Sequence, residues 1–456
     1  MVKIKVDFLQ DIKGLKKMIG NRENVFSVFG YDSRLTENGE LFFAFKTDKN
    51  DGNDYIKNAL KKGAIGYIGQ KEIENLKPEK TGIIVENTFE FLYEIAKKII
   101  RTSSSKIIAL TGSAGKTTTK EFLYEILKHK GKLFKTRSNF NSDIGVPLGI
   151  LSDFEKDTEI AIFELGTNRF GEISKNSLLI RPDIAAILNV LNTHLEKLIN
   201  LEGVLKAKLE IFDGLKPDGI AVLNYDNLYT KKAGDRFKNR IFFGQNQGAD
   251  FIFKTINKDF SGSIVKLAYK GVERELKTNL FLSTHINNLA AASALAMAFG
   301  CNFDDIEKGL KDIKPQKHRG QIIRYKNSFI LDDSYNSNPD ALKLLLDDFA
   351  KTEGTKTIIL GEILELGGKS KEKHLELVEI IKKYGFDKIY LIRGDMVYPF
   401  EELKKDSYYQ DKVYFYDSFS EFKERFFSFV GERTNILIKG SHGTELYKLV
   451  EELENV

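Results

Sequence analysis

Cysteine is almost absent from this chain: Cys301 is the only one in 456 residues, so no disulfide can form within the chain. This composition is expected of a protein kept in a reducing, cytoplasmic compartment. Proline is scarce too, with 7 residues, while 42% of the residues are hydrophobic, which is typical of a globular protein. No apolar run approaches the ~20 residues that span a bilayer, and no signal-peptide core is found.

An excess of one charge is also lacking. The 70 Lys and Arg residues nearly balance the 65 Asp and Glu residues, which leaves a net charge of +5. This weak bias gives no case for nucleic acid as the main partner, although it leaves room for local basic pockets that bind phosphate. The length exceeds what one hydrophobic core supports, so we expect two or three domains. Repeats, heptads and low-complexity tracts are absent from the sequence.

The most informative stretch is residues 106–120, where a short apolar run leads through a glycine turn into a helical pattern. Glycines in such a turn let backbone N–H groups approach a phosphate, and the helix N-terminus adds a favourable dipole. Lys116 is expected to reach the terminal phosphates, and the Thr117 hydroxyl is expected to bind Mg²⁺. The stretch therefore predicts a site for ATP or GTP.

The spacing differs from the commonest phosphate-binding loop, because two residues rather than four separate Gly112 from Gly115. A plain glycine turn ahead of a helix is the alternative interpretation. The buried strand directly before the turn and the Lys-Thr pair at the helix start favour the phosphate site.

Apolar runs alternate with helical patterns along the whole chain, which predicts an α/β protein. We expect three blocks, at residues 1–103, 104–314 and 315–456, with a linker at residues 102–105. Strands are predicted in the first block at 25–29, 41–45, 64–68 and 82–85, and in the second at 107–110, 160–163, 184–190 and 220–223. Strands in the third are predicted at 328–331, 357–360, 388–392, 413–416 and 436–438. Helices are predicted at 54–62, 88–101, 340–349 and 371–383.

Polar residues follow the strands of the second block, at the edge where a parallel sheet binds ligands. Glu164 follows the run at 160–163, and His194 follows the run at 184–190. Thr117, Glu164 and His194 are therefore expected to converge, with Glu164 as a magnesium ligand. Taken alone, Glu164 is equally well read as a solvated strand end, and His194 as a hydrogen-bonding residue.

Lys208 and Arg319 are two further candidates. Lys208 lies on a helical pattern with an apolar face, where a lysine commonly extends its charge to solvent. Arg319 follows the boundary near residues 314–315, and an arginine from a second domain can stabilise a transferring phosphoryl group. An interdomain salt bridge is the equal alternative for Arg319.

These pieces in this order resemble the Mur ligase family, the ATP-dependent amide ligases of peptidoglycan precursor synthesis. Residues 111–118 look like the family's two-spaced phosphate loop. Five segments resemble, more specifically, the branch of the family that adds D-alanyl-D-alanine to UDP-N-acetylmuramoyl-tripeptide. They are residues 139–148, 164–173, 207–212, 333–340 and 361–367. Residues 32–43 are similar to the UDP-substrate region of this branch and of the preceding ligase. The resemblance implies an N-terminal UDP-substrate α/β domain, a central P-loop domain with a mainly parallel sheet, and a C-terminal Rossmann-like doubly wound domain that binds the amine substrate.

The resemblance also implies a role for each matching residue. Nucleotide binding is implied for Gly112, Ser113, Ala114, Gly115, Lys116, Thr117, Thr118, Asn288, Arg319 and Asp333. Magnesium binding is implied for Thr117, Glu164, His194 and, if it is carbamylated, Lys208. Catalytic roles are implied for Lys116, His194, Lys208 and Arg319. Substrate binding is implied for Ser33, Arg34, Asn141, Asn336 and Asn338.

The implied reaction is ATP-driven amide formation through an acyl phosphate, by a cytoplasmic monomer with small-molecule substrates. The chain departs from the family pattern at Thr284-His285, where His-Asn is usual, at Asn53, where histidine is usual, and at His442, where arginine is usual. Two alternatives stay open: a related ligase with another amine acceptor, such as an amino acid, and a non-catalytic nucleotide-binding paralogue. The first block resembles a domain that binds a sugar nucleotide, which disfavours a mechanical or transport ATPase.

Overall fold

The computed structural model describes residues 3–137, 140–191 and 198–454. The chain divides into two compact units, Met1–Phe242 with Ala294–Asn302 and Phe243–Ser293 with Phe303–Val456. Both units alternate strands and helices, as the sequence predicted, and the domain boundaries at residues 103 and 314 stay predictions. None of the helices in the described ranges is both long and apolar enough to cross a bilayer.

The N-terminal part of the first unit is a five-stranded sheet with two helices. Its strands lie in the order Leu15–Gly20, Thr81–Val85, Gly66–Gly69, Glu40–Phe43 and Val28–Gly30, and only the first pair is antiparallel. A separate pair is formed by Ile4–Lys5 and Val25–Phe26. The run predicted at residues 25–29 therefore splits into two strands that belong to different sheets. The helices are Ile56–Lys62 and Thr88–Arg101, and the short 3₁₀ helices are Val6–Leu9 and Gly52–Tyr55.

Five parallel strands form the centre of the first unit. They lie in the order Leu133–Lys135, Ile160–Glu164, Lys106–Thr111, Ile184–Ile187 and Ile220–Asn224. In this register Glu164 is opposite Leu110, and Ile187 is opposite Thr111. The carboxyl ends of these three strands therefore end level with one another, next to the predicted phosphate loop. The helices of this part are Lys116–Leu127, Gly145–Asp153, Glu172–Ile180, Leu201–Leu209 and Leu228–Gly234, and the 3₁₀ helix is Glu210–Phe212.

The strand Lys106–Thr111 is buried from Ile107 onward. A central strand of a parallel sheet is covered by helices on both faces, which explains the continuous apolar run. Each fully buried isoleucine or leucine contributes about 1.5–3 kcal/mol. This burial fixes the strand, and with it the point from which the phosphate loop starts.

The second unit begins with three antiparallel strands, Phe251–Asp259, Gly262–Tyr269 and Val272–Thr278, which the sequence patterns did not predict. Its largest sheet has the strand order Gln321–Tyr325, Ser328–Asp333, Asn435–Lys439, Lys356–Gly361, Lys388–Ile392 and Val413–Tyr416, of which only the first is antiparallel. The strand Arg240–Gly244 contains Phe242, where the first unit ends in the sequence, and Phe243, where the second begins. The remaining helices are Ser283–Phe299, Phe303–Leu310, Pro339–Ala350, Ser370–Tyr384, Val397–Lys404, Phe419–Phe429 and Tyr447–Glu454, and the short 3₁₀ helices are Gly367–Lys369, Gly394–Met396 and His442–Thr444.

Helices cover both faces of this largest sheet, so it is doubly wound. Ile358 and Leu360 pack in one buried cluster with Leu345 and Leu377 from two helices. Ile359, between them on the strand, packs in another cluster with Phe422. Successive side chains of a strand point to opposite faces, which explains why one short apolar run supports two cores.

Candidate functional site

The predicted phosphate loop is built as a strand, a turn and a helix. The helix Lys116–Leu127 starts directly after Gly115, whose φ of 80° lies in the left-handed region that glycine adopts without strain. Lys116 Nζ donates a hydrogen bond to the carbonyl oxygen of Gly112, at 2.9 Å. The first backbone N–H groups of a helix have no partner within the helix, so this end is suited to an anion.

Asn189 holds the loop from the neighbouring strand segment. Its side-chain oxygen accepts a hydrogen bond from the Ala114 backbone N–H at 2.9 Å, and its side-chain nitrogen donates to the Ala114 carbonyl at 3.1 Å. The Ser113 N–H donates to the Asn189 carbonyl at 3.2 Å. Sequence reasoning missed Asn189, although a polar residue inside the apolar run at 184–190 was a usable signal.

Thr117, Glu164 and Asn141 meet at the carboxyl edge of the sheet. The Thr117 hydroxyl donates to Glu164 Oε1 at 3.2 Å, and Asn141 Nδ2 donates to the same oxygen at 2.9 Å. Glu164 is only 1% exposed. The structure therefore brings together two predicted metal ligands and a residue that was predicted to bind substrate, and Glu164 is a buried group rather than a solvated strand end.

A buried lysine, which sequence reasoning missed, lies behind Glu164. Lys120 is 0% exposed, and its Nζ lies 3.4 Å from Glu164 Oε2. The same Nζ donates to the Thr136 carbonyl at 2.8 Å, and the Thr136 hydroxyl accepts from the Glu164 N–H at 3.0 Å. A buried charge is tolerated when it is paired and hydrogen-bonded, so Lys120 compensates the carboxylate of Glu164.

Replacing Lys120 by methionine is expected to destabilise the protein by about 3–5 kcal/mol, because it leaves Glu164 as a buried charge without its cation. Urea unfolding followed by circular dichroism measures the loss. Lys135→Met is the matched control, since Lys135 forms a partly exposed ion pair with Glu121 and such pairs are worth about 0–1 kcal/mol. An equal loss in the two variants would contradict the role given to Lys120.

Thr117 and Glu164 bring a hydroxyl oxygen and a carboxylate together, and Mg²⁺ prefers oxygen ligands. Glu164 Oε2 is buried and accepts no well-aligned hydrogen bond from the described residues. The residues present therefore fit a magnesium ion. No group of three or more histidines, cysteines, aspartates or glutamates is placed for a metal within the described ranges. His194, the predicted second ligand, lies outside the described residues, so its role stays a prediction.

Lys208 lies on the helix Leu201–Leu209 and is 3% exposed. Burial is the main cause that lowers the pKa of its ammonium group well below the usual value, and the charge of nearby Lys116 lowers the pKa further. Within the described ranges no carboxylate forms an ion pair with Lys208. The alternative interpretation, in which this lysine extends its charge to solvent, is therefore wrong, and its amine is biased toward the neutral, nucleophilic form.

The second unit carries the other predicted nucleotide-binding residues. The Arg319 guanidinium lies 4.1 Å from the centre of the Tyr335 ring. The Asp333 carboxylate is 2.5 Å from Nζ of the buried Lys439. Asn288 is half-buried on the helix Ser283–Phe299. The nucleotide-binding roles of Arg319, Asp333 and Asn288 therefore stay predictions.

His318, next to Arg319, forms a buried pair with Asp332, with 2.7 Å between Nδ1 and Oδ2. This hydrogen bond raises the pKa of His318, against the opposing effect of burial. Because the folded-state pKa is above the unfolded value of about 6.5, the stabilisation is complete below that value. It is lost as the pH rises through the folded-state pKa.

We therefore expect the stability difference between the wild type and His318→Gln to be about 1–2 kcal/mol at mildly acid pH and smaller at alkaline pH. Urea midpoints measured from about pH 5.5 to pH 9 test this. A difference that stays constant or grows with pH would show that the charge of His318 contributes nothing.

The predicted substrate-binding residues occupy separate places. In the N-terminal part the Ser33 hydroxyl accepts from Asn58 at 3.3 Å, and Arg34 forms a 2.7 Å ion pair with Asp32. The Arg34 hydrogen bond lowers the pKa of Asp32 to about 2. In the second unit Asn338 caps the helix Pro339–Ala350 by accepting from the Ala341 N–H, and Asn336 is exposed. Their substrate contacts stay predictions.

Three family models match the chain in sequence order. The model of the Mur ligase family, catalytic domain, matches residues 26–99, and that of the Mur ligase middle domain matches residues 110–296. The model of the Mur ligase, glutamate ligase domain, matches residues 318–442. The matched segments cover four of the five strands of the N-terminal sheet, the phosphate loop and the doubly wound sheet in turn.

Proteins of known name match nearly the whole chain. UDP-N-acetylmuramoyl-tripeptide--D-alanyl-D-alanine ligase from Rickettsia prowazekii is 34% identical over 432 residues, which covers 92% of this chain and 94% of that protein. A crystal structure of MurF from Acinetobacter baumannii has a TM-score of 0.90 at 26% identity and covers 100% of this chain and 99% of that one. MurF from Thermotoga maritima, solved in complex with ADP, has a TM-score of 0.80 at 28% identity and covers 94% and 97%. By sequence and by three-domain architecture, this chain belongs to the Mur ligase family.

Proposed function

We propose that this protein is the ATP-dependent ligase that joins D-alanyl-D-alanine to UDP-N-acetylmuramoyl-tripeptide in peptidoglycan precursor synthesis. The observation that carries the proposal is the contact between Thr117 and Glu164 at the mouth of the phosphate loop. It supplies the two oxygen ligands that a phosphoryl-transfer site needs beside Lys116. The substrates are those in the name of the Rickettsia prowazekii relative.

The reaction needs activation because a free carboxylate is a poor acyl donor. Transfer of the terminal phosphoryl group of ATP to the carboxylate of the tripeptide gives an acyl phosphate, and ADP leaves. The amine of the dipeptide then attacks the carbonyl carbon, and inorganic phosphate leaves. No protein nucleophile is required, so the chain contributes by positioning its substrates and by stabilising charge.

The residues of the first unit divide this work among them. The loop N–H groups and Lys116 hold the phosphates, and Asn189 keeps the loop in place through Ala114. Thr117 and Glu164 would hold magnesium, which when bound neutralises phosphate charge. Lys120 pairs with Glu164 from behind and orients its carboxylate. In the proposal, Arg319, Asp333 and Asn288 of the second unit also bind the nucleotide.

Lys208 fits a further part of the proposal. A buried neutral amine can add CO₂ and release one proton to form a carbamate, which carries a carboxylate group in place of the amine. Such a group carries the type of oxygen ligand that Mg²⁺ prefers. The lowered pKa of Lys208 supports this assignment, since only the unprotonated amine reacts.

A related ligase with a different amine acceptor is the second candidate. It is favoured by His442, which stacks on Tyr447 with 4.8 Å between the ring centres. An imidazole cannot hold a carboxylate with the two parallel N–H groups that a guanidinium offers. The acceptor is therefore the part of the proposal that most needs a direct test.

A reconstituted assay tests both candidates. The purified protein is given ATP, Mg²⁺, UDP-N-acetylmuramoyl-tripeptide and D-alanyl-D-alanine, and each is omitted in turn while phosphate release and product mass are measured. We expect both signals to need all four components. Product formed with a single amino acid but not with the dipeptide would favour the second candidate, and phosphate release without any mass gain would refute a ligase. Light scattering of the same sample tests the proposal that the protein acts as a monomer. We also propose that it acts in the cytoplasm.

A further inference from the structure

The doubly wound sheet of the second unit has a ligand-binding edge of its own. Four of its strands, Ser328–Asp333, Asn435–Lys439, Lys356–Gly361 and Lys388–Ile392, are neighbours and run parallel. Ligands of such sheets bind beyond the carboxyl ends of the strands, next to the point where the order of the strands reverses. The loops at that edge start at residues 334, 440, 362 and 393.

Arg393 is the first residue after the strand Lys388–Ile392, and its backbone is unusual. Its φ of 72° and ψ of 150° lie in a region that is almost confined to glycine. Gly394 follows with a φ of 55°, and a side chain there would collide with the carboxylate of Glu362. A strained arginine beside a glycine is a reason to look for a function, because strained residues persist where the surroundings hold them and cluster at functional sites.

The Arg393 side chain contacts the loop that carries His442. One terminal nitrogen of the guanidinium donates to the Gly443 carbonyl at 2.5 Å. The residue is exposed, and within the described ranges no carboxylate forms an ion pair with it. A guanidinium has five N–H donors, so most of its donors stay available at the sheet edge.

The loops around Arg393 are tied to one another. The Asp395 N–H donates to Glu362 Oε1 at 3.2 Å, the Ser441 N–H donates to the Glu362 carbonyl at 3.2 Å, and the Leu364 N–H donates to Ser441 Oγ at 2.9 Å. The Glu362 carboxylate is thus directed at a backbone N–H. The guanidinium is held in a fixed frame and not at the end of a mobile loop.

We propose that Arg393 binds the terminal carboxylate of the incoming amine substrate and so determines that the acceptor carries one. The inference rests on the proposed function, which requires an acceptor with a free amine and leaves the choice of acceptor open. A planar guanidinium anchored through one N–H can offer two others to a carboxylate. Arg393 supplies at this edge the bidentate donor that the imidazole of His442 lacks.

Paired acceptors test the inference. D-alanyl-D-alanine is compared with D-alanyl-D-alaninamide, which has the same amine but no terminal charge, in the wild type, Arg393→Gln and Arg393→Lys. For the wild type we expect a KM about tenfold or more lower for the charged acceptor, on the order of one charge-assisted hydrogen bond. Arg393→Gln should remove this preference and leave the KM for ATP unchanged, and Arg393→Lys should restore only part of it.

Two further variants separate binding from structure. Arg433→Gln removes the same charge from the turn before the strand Asn435–Lys439, at the opposite edge of the sheet, and should change neither KM. Arg393→Gly should raise the thermal midpoint, since glycine adopts the backbone conformation without strain, and should still lose the preference for the charged acceptor. A lower midpoint for Arg393→Gly would give Arg393 a structural role instead.

The outcomes separate this inference from the proposed function. Ligation with an unchanged acceptor preference in Arg393→Gln overturns the inference alone, as does an increase in the KM for ATP, which would place Arg393 at a phosphate. A wild-type protein that forms no product with either acceptor overturns the proposed function and, with it, the role of Arg393.

Discussion

Replacing Lys116 by methionine is expected to lower the rate of product formation at least about a thousandfold. Lys116 begins the helix behind the phosphate loop, and its Nζ lies 2.9 Å from the Gly112 carbonyl. A fixed cation there stabilises charge that develops on a transferring phosphoryl group, and losing one such donor costs about 10²–10³ or more in kcat. Methionine keeps the apolar stem and removes only the charge, so the helix start should persist.

The measurement is phosphate release together with product mass at saturating substrates, with circular dichroism as a check on folding. Lys106→Met is the matched control, because Lys106 is exposed at the other end of the same strand, where its Nζ lies 3.4 Å from the Phe299 carbonyl. The control should keep nearly full activity. Turnover of Lys116→Met within tenfold of the wild type would show that this glycine turn is not where phosphoryl transfer takes place.

The phosphate loop was predictable because its elements are local in the sequence. A buried strand, a glycine turn and a helix start within 12 residues carry the signal, and the register that aligns Glu164 with Leu110 follows from a parallel sheet. The residues that hold the loop were not predictable in the same way. Asn189 lies 75 residues from Ala114, and only the packing of strands brings the two together.

Lys120 shows a different limit. A lysine one turn into a helix is ordinarily solvated, and nothing in the local pattern distinguishes Lys120 from its neighbours. Its burial depends on two neighbouring strands, Leu133–Lys135 and Ile160–Glu164, which bring Thr136 and Glu164 into contact with its ammonium group. The same limit applies to Lys208, which has a low pKa because of tertiary burial and the nearby charge of Lys116.

The missed antiparallel strands were partly predictable. Lys270 and Gly271 join two strands as a two-residue turn, and both have positive φ, at 48° and 78°. This is the turn that a right-twisted hairpin prefers, and a glycine at its second position is the usual signal. The strands themselves, at residues 251–278, are largely polar and exposed on one side, so hydrophobic runs did not reveal them.

By contrast, the limits of Lys388–Ile392 and Val413–Tyr416 agree with the prediction, because both strands are short apolar runs with polar ends.

Labelling with ¹³C-bicarbonate is expected to show one carbamate carbon in the wild type and none in Lys208→Arg. The Lys208 amine is buried and its pKa is lowered, so a larger fraction is unprotonated near neutral pH than for an exposed lysine, whose pKa is about 10.4. Arginine keeps a positive charge and cannot form the carbamate. Carbon-13 NMR of the labelled protein detects the group directly, without reference to turnover.

Loss of the carbamate is expected to reduce kcat about a hundredfold or more. Lys208→Arg puts a cation, and Lys208→Met an uncharged side chain, in the place of the proposed metal ligand. Lys208→Met should be at least as stable as the unmodified protein, since it replaces a buried amine, which no carboxylate of the described residues pairs with, by an apolar side chain, and it should be as inactive as Lys208→Arg. Lys206→Arg, at an exposed position of the same helix, should keep both the signal and the activity. A wild-type spectrum without the carbamate, at full activity, would leave Lys208 only an electrostatic role beside Lys116. A Lys208→Met variant that is stable but inactive would instead show that Lys208 is needed for the reaction and not for folding.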